Sequence, residues 1–83
     1  MTGTIDAAKL RDIAAEIDRR LGQEESPRAI SEDLAKRYGR RWESSGTVNL
    51  RLAKVAVSCT AGEPIILWVW TTKARRLVED AGS

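Results

Sequence analysis

The side chains with the most obvious chemistry in this sequence are basic, and they gather in its middle part. Residues 36–54 contain six Lys or Arg and a single Glu, whereas the whole chain has a net charge of only +2. A basic segment of this kind favours a polyanion, DNA or RNA, because each phosphate contact releases counterions. A solvated surface is the alternative interpretation. The six cations are Lys36, Arg37, Arg40, Arg41, Arg51 and Lys54.

Other reactive side chains are scarce. The chain has no histidine, which is the commonest general base and the commonest metal ligand. Cys59 is the one cysteine, so an intrachain disulfide or a Cys-rich zinc site cannot form, and we expect Cys59 to be a small apolar filler. The sequence contains no Gly-rich phosphate loop and no serine elbow. We therefore predict that the protein is not an enzyme, binds no metal and uses no cofactor.

The elements that position the basic segment must belong to one small domain. A chain of 83 residues, 42% of them hydrophobic, is long enough for one modest core, so residues 1–83 are predicted to form a single globular domain. No apolar run reaches the roughly 18–20 residues of a membrane span. Residues 1–8 lack the basic-then-apolar layout of a signal peptide. These features predict a cytoplasmic protein with no membrane contact.

Hydrophobic periodicity predicts the first helix. Residues 4–21 carry Leu10, Ile13 and Ile17 at steps of three or four, which places them on one helical stripe, and Gly22 is the expected end. The acidic residues of this segment lie off the stripe. The first helix is therefore predicted to serve the core and not a nucleic-acid contact.

A second helix is predicted to end at Gly39, with two alternative starts. Ser26 before a proline is a good cap, whereas Ser31 is followed by two acidic residues that suit a helix N-terminus. If Ser31 is the cap, residues 28–30 are free to form a short strand. The apolar positions of this helix are Ile30, Leu34 and Tyr38.

Residues 47–57, which follow a predicted turn over residues 39–46, fit two periodicities. As a helix capped by Ser45, they place three apolar residues on one face; as a strand, they alternate apolar and polar side chains at first. The β-branched content favours the strand. Periodicity alone is compatible with both a helix and a strand over these residues.

The last third is predicted to contain a hairpin and a helix. Residues 65–70 are six consecutive apolar residues of strand-forming type, and residues 57–60 can pair with them across a turn at 61–64. Residues 73–80 are predicted to form a short terminal helix. Because the strand is apolar on both faces, one face needs a cover, either that helix or a second copy of the chain.

Three segments carry a family resemblance. ISEDLAKRYG (30–39), SGTVNLRLAKV (45–55) and WTTKARRLVED (70–80) are similar, in this order, to the second helix, the recognition helix and the last wing strand with C-terminal helix of winged helix-turn-helix regulators, MarR-like and PadR-like proteins among them. The resemblance implies a small α+β winged helix fold, with a three-helix core, a C-terminal β-hairpin and a short terminal helix. It favours the helix beginning near Thr47 and Ser31 as the cap.

The resemblance implies a small DNA-binding transcriptional regulator of the repressor or excision-factor type, in which the helix starting near Thr47 reads the major groove of double-stranded DNA. A homodimer on paired half-sites is the arrangement that such regulators suggest. The base contacts it implies are Ser44, Ser45, Thr47, Asn49 and Arg51. The phosphate contacts it implies are Lys36, Arg37, Arg40, Arg41, Lys54, Lys73 and Arg75.

Two other functions stay open. Winged helices also bind proteins, so an interaction module, such as a phage-encoded inhibitor of a host protein, is the main alternative; its signature would be an exposed apolar patch. Nonspecific nucleic-acid binding is the third hypothesis. Trp42, Trp68 and Trp70 raise the idea of stacking on single-stranded nucleic acid, although Trp68 and Trp70 lie in an apolar run that favours core or dimer contacts.

Overall fold

The computed structural model describes residues 6–81, which form three helices and one three-stranded antiparallel sheet. The predicted α+β class is confirmed. The order of elements, however, differs from the prediction, because all three strands lie between the second and third helices. The elements are α1 (Ala7–Gly22), α2 (Pro27–Tyr38), β1 (Gly39–Ser44), β2 (Thr47–Leu52), β3 (Val55–Cys59) and α3 (Ile65–Ala81).

Helix α1 follows its predicted stripe. The Asp6 carboxylate caps the helix by accepting a hydrogen bond from the Lys9 backbone N–H at 3.1 Å. Leu10, Ile13 and Ile17 are buried, as the spacing predicts. The predicted first residue, Thr4, lies outside the described residues.

Helix α2 uses the earlier of its two predicted starts. The Ser26 hydroxyl accepts a hydrogen bond from the Ala29 N–H at 3.4 Å, and Pro27 occupies the first helical position. Ser31 lies inside the helix, fully buried, and donates to the Pro27 carbonyl oxygen at 3.1 Å. The preference for Ser31 as the cap and the short strand over 28–30 are therefore wrong. The helix that starts at Pro27 is favoured over one that starts after Ser31 because it buries Ile30 in the core.

The sheet is a meander in the order β1-β2-β3, closed by two two-residue turns. Residues 45–46 and residues 53–54 all have positive φ, which is the turn geometry that matches the twist of paired strands. The predicted turn over 39–46 is mostly strand β1. A Cβ atom on Gly39 would lie 1.9 Å from the Arg51 carbonyl oxygen, so glycine allows α2 to end and β1 to begin directly against β2.

The helix predicted to begin near Thr47 is wrong, because this segment is the central strand. Val48, Leu50 and Leu52 point into the core, and the residues between them are more exposed. Residues 47–52 form a strand and not a helix because tight turns on both sides bring β1 and β3 alongside. These two strands then supply hydrogen-bonded partners on either side of β2.

The core lies between the sheet and the helices. Helix α2 packs against β1 and β2, α3 packs against β3 and β2, and α1 packs on the two other helices. One face of the sheet is thereby covered, and no described element covers the other. The largest fully buried side chains are Trp70, Leu10, Ile13, Ile17, Ile30, Leu34, Leu50, Leu52, Ile66 and Leu67.

The strand predicted over residues 65–70 is wrong, since α3 runs from Ile65 to Ala81 and also contains the predicted terminal helix. Burial along it has the helical period: Ile66, Trp70 and Ala74 are buried at steps of four, whereas Trp68 is 52% exposed. The hairpin of residues 57–60 with 65–70 is accordingly absent from the described residues, where β3 pairs with β2. No helix within residues 6–81 combines the length and apolarity that a membrane span requires.

The turn between β2 and β3 yields a stability prediction. Lys54 has φ 72° without being glycine, a conformation that costs L-residues about 1–2 kcal/mol. Replacing Lys54 by Gly is expected to stabilise the fold by about 0.5–1 kcal/mol, after the greater freedom of glycine in the unfolded chain is subtracted. Urea denaturation measures the change.

Gly46, in the other turn, is the matched control. It has φ 79° and nothing lies within 4 Å of a Cβ placed on it, so Gly46→Ala changes conformational preference alone. We expect a destabilisation for Gly46→Ala and a stabilisation for Lys54→Gly. Stability changes of the same sign in Gly46→Ala and Lys54→Gly would contradict the positive φ angles of the two turns.

Candidate nucleic-acid interface

The uncovered side of the sheet is the candidate site, and we call it the outer sheet face. Alternate residues of each strand point to it, because the pairing register places them opposite one another and away from the helices. This face has eight residues, and none of them is acidic. The outer sheet face consists of Arg40, Trp42, Ser44, Thr47, Asn49, Arg51, Ala56 and Ser58.

Two arginines stand directly opposite each other on this face. Arg40 pairs with Arg51 across β1 and β2, and both side chains are exposed. Within residues 6–81 neither has an acidic partner, although the Arg40 guanidinium stacks over the Trp42 ring at 5.0 Å from the ring centre. Like charges in directly opposed positions destabilise a sheet. The pair therefore costs stability in the free protein and concentrates positive charge where an anion can approach.

A polar row lies next to the arginines. Trp42, Asn49 and Ser58 occupy the same register position on the three strands. The Ser58 hydroxyl donates to the Asn49 Oδ1 atom at 2.7 Å, and the Asn49 Nδ2 atom donates to two backbone carbonyl oxygens at 3.4 Å each. The short bond orients the amide, while the two long bonds are weak enough to be exchanged for a ligand.

The structure brings most of the predicted base-contact residues together, although by a strand and not by a helix. Thr47, Asn49 and Arg51 follow one another at two-residue steps along the outer side of β2. Ser44 faces Thr47 across the β1–β2 pair and lies on the same side. Ser45 lies in the turn beyond them, with φ 51°.

Three of the predicted phosphate contacts are already ion-paired. Arg41 points to the covered side of the sheet, where it binds Glu63 through two hydrogen bonds of 2.7 and 3.2 Å. Its side chain is only 10% exposed. Arg75 is paired with Asp18 on α1. Arg41 cannot bind phosphate without first breaking its contacts with Glu63, whereas the charge of Arg75 is already partly balanced by Asp18.

The third ion-paired residue, Arg37, belongs to a network that joins α1 to α2. It binds Glu16 and Asp33, and Arg20 binds the same two carboxylates and Glu25. Hydrogen bonds from Arg37 hold the pKa of Glu16 below its usual range despite some burial, and hydrogen bonds from Arg20 do the same for Asp33. This network links α1 to α2 and includes no residue of the outer sheet face.

The remaining predicted phosphate contacts are accessible. Arg40 lies on the outer sheet face itself, and Lys36 is exposed in the last turn of α2. Lys54 is exposed in the β2–β3 turn. The Lys73 Nζ atom donates to the Ala56 carbonyl oxygen at 2.9 Å, which places this ammonium group at strand β3.

Ser58 is the polar residue of the outer sheet face that sequence reasoning missed. The alternation of buried Val55 and Val57 with exposed Ala56 and Ser58 is the signal that could have identified it. Cys59 is partly buried against the core, as expected for a filler. Within residues 6–81, no group of three or more His, Cys, Asp or Glu side chains is placed to hold a metal ion.

No protein-family model matches the chain, and no curated protein or solved structure is similar to it at a significant level. The resemblance to winged helix-turn-helix regulators thus stays a prediction. The function is therefore argued from the geometry of the outer sheet face.

Proposed function

We propose that this protein is a small DNA-binding regulator of the cytoplasm that contacts double-stranded DNA with its outer sheet face. The observation that carries the proposal is the arrangement of two opposed arginines, an oriented asparagine and a threonine on one uncovered surface without an acidic residue. Strands as well as helices can enter the major groove to read bases. Because β2 and the turn after it occupy the segment that the winged helix resemblance assigns to a recognition helix, the proposal rests on the outer sheet face alone.

The side chains of the outer sheet face have the chemistry for base reading. Arginine binds guanine and asparagine binds adenine through paired hydrogen bonds, each worth about 1–3 kcal/mol of discrimination. Arg40, Arg51 and Asn49 are the candidates for these contacts, and the Thr47 methyl group suits a thymine methyl. Lys36, Lys54 and Lys73 are the candidates for phosphate contacts. Three phosphate contacts predict a log–log salt slope of about −3.

The test compares two double variants that remove the same charge. Arg40→Gln with Arg51→Gln changes the outer sheet face, whereas Arg11→Gln with Arg19→Gln removes two exposed arginines of α1. Fluorescence anisotropy with a labelled random duplex, at two salt concentrations, measures affinity. We expect the sheet variant to bind at least about tenfold more weakly and the α1 variant to change less than about threefold.

Three results would overturn the proposal. The first is a wild-type protein that does not bind the duplex even at low salt. The second is an equal loss in both double variants, which would indicate an unspecific effect of net charge. The third is a clear preference for single strands of the same length, in which case stacking on Trp42 would replace groove reading.

A further inference from the structure

The outward side of α3 carries an apolar patch that no described element covers. Trp68 and Val69 are the only exposed large hydrophobic side chains among the described residues, at 52% and 37% exposure. They line a shallow groove of about 540 Å³ with Ile65, Arg76, Leu77 and Asp80. Tryptophan is enriched at protein–protein interfaces, where a partner buries its large side chain.

The groove forms a stripe along the whole helix. Its lining residues recur at positions 65, 68/69, 72/73, 76/77 and 80, so that each turn of α3 contributes to it. The buried side chains of α3, among them Ile66 and Trp70, lie on the opposite side, against the core. A partner that matches the stripe is therefore an elongated element about as long as α3.

The stripe is complementary to itself in an antiparallel arrangement. A two-fold axis that crosses α3 between Thr72 and Lys73 sets Trp68 against Leu77 of the second copy and Val69 against Arg76 of the second copy. These contacts bury the exposed tryptophan and allow the arginine to lie over its ring.

Charge also favours the antiparallel arrangement. A parallel pair would set Arg76 and Asp80 each against its own copy. The antiparallel pair does this only for Lys73, beside the two-fold axis, and the Lys73 ammonium group donates to the Ala56 carbonyl oxygen of its own chain. In the antiparallel pair, Asp80 lies beside the start of the second α3, near Ile65, where the helix dipole attracts a negative charge. The first turn of α3 itself contains no acidic residue.

We propose that a second copy of this chain docks on α3, with the two helices antiparallel and Trp68 at the contact. The two-fold axis gives each copy the same interface, as in most small homodimers. The dimer is argued from α3 alone and does not depend on DNA binding by the outer sheet face.

The test uses a pair of opposite charges at one position. In the antiparallel dimer, Val69→Glu places a carboxylate against Arg76 of the second copy, whereas Val69→Lys places a cation there. Sedimentation velocity over protein concentrations from about 1 μM to about 1 mM measures the dissociation constant. We expect Val69→Glu to associate about tenfold or more tightly than Val69→Lys, and Trp68→Ala to associate about tenfold more weakly than the wild type.

Circular dichroism and thermal melting of each variant check the fold, which these exposed positions leave intact. A wild-type chain that is monomeric at the highest concentration overturns the proposal. So does an equal weakening by Val69→Glu and Val69→Lys, because a parallel pair would set each new charge against its own copy. A third overturning result is unchanged association in Trp68→Ala.

Discussion

Replacing Glu63 by alanine is expected to destabilise the fold by about 3 kcal/mol, because it leaves the Arg41 guanidinium buried without its main partner. Both side chains of this pair are only 10% exposed. The guanidinium contacts the carboxylate through its Nε and Nη2 atoms, which is a bidentate geometry. The pair ties the covered side of β1 to the segment that precedes α3. Urea denaturation followed by circular dichroism measures the loss.

Glu43 is the matched control for this experiment. It also contacts Arg41, at 3.0 Å, but its side chain is 51% exposed. Exposed ion pairs contribute about 0–1 kcal/mol, so Glu43→Ala should lower stability by no more than this. Losses of similar size in the two variants would contradict the buried geometry of the Arg41–Glu63 pair.

The same pair makes stability depend on pH. Burial alone would raise the pKa of Glu63, but the hydrogen bonds and charge of Arg41 outweigh it and lower the pKa. A carboxyl whose pKa is lowered by folding contributes stability that is present above its unfolded value, about 4.3, and is lost as the pH falls through the folded value. We expect the free energy of unfolding to fall less steeply below about pH 4 in Glu63→Gln than in the wild type. A residual slope should remain, because Glu16 and Asp33 also have lowered pKa values.

The sequence was informative where a segment fits one periodicity and ambiguous where it fits two. The stripe of α1 repeats at steps of three or four residues from Leu10 to Ile17, about two helical turns, which no strand pattern imitates. Residues 47–52 and residues 65–70 are six residues each, and a short apolar run is compatible with a helix or a strand. The family resemblance selected the helix for the first run, and β-forming composition selected the strand for the second. The packing of the folded protein instead makes the first run a strand and the second run part of a helix.

The hairpin between β2 and β3 had no signal in the sequence. Two-residue turns of this geometry favour Asn-Gly or Asp-Gly, whereas this one contains Ala53 and Lys54. Without a turn signal, residues 47–57 looked continuous, and this continuity made the helix plausible. The misassignment therefore has a local cause, the unfavourable backbone conformation that Lys54→Gly tests.

The candidate site was predicted better than the element that carries it. Asn49 and Arg51 were selected for their hydrogen-bonding chemistry, which does not depend on whether a helix or a strand presents them. The ion pairs could not be predicted, because they join residues that are distant in sequence: Arg41 and Glu63 are 22 positions apart, and Asp18 and Arg75 are 57 positions apart. Sequence chemistry therefore identified the candidates, and only the fold could show which cations are neutralised.

Replacing Trp70 by alanine is expected to destabilise the fold by about 3–5 kcal/mol, the usual cost of removing a large aromatic side chain from a core. Trp70 has no exposed surface, and its Nε1 atom donates to the Val55 carbonyl oxygen at 3.0 Å. The variant therefore loses both the packing between α3 and the sheet and a buried hydrogen bond. Thermal and urea denaturation should show a large fraction of the chain unfolded under mild conditions.

Trp68→Ala is the control that makes this experiment a test of α3. In a helix, residues 68 and 70 are about 200° apart and therefore face opposite sides, so the half-exposed Trp68 should contribute less than about 1 kcal/mol to the stability of a single copy. A strand over residues 65–70 would place both side chains on one face and make the two losses similar. Both variants are measured at low protein concentration, where association through α3 adds nothing to stability. Similar losses in the two variants would mean that residues 65–70 are extended, and they would remove the stripe on which self-association rests.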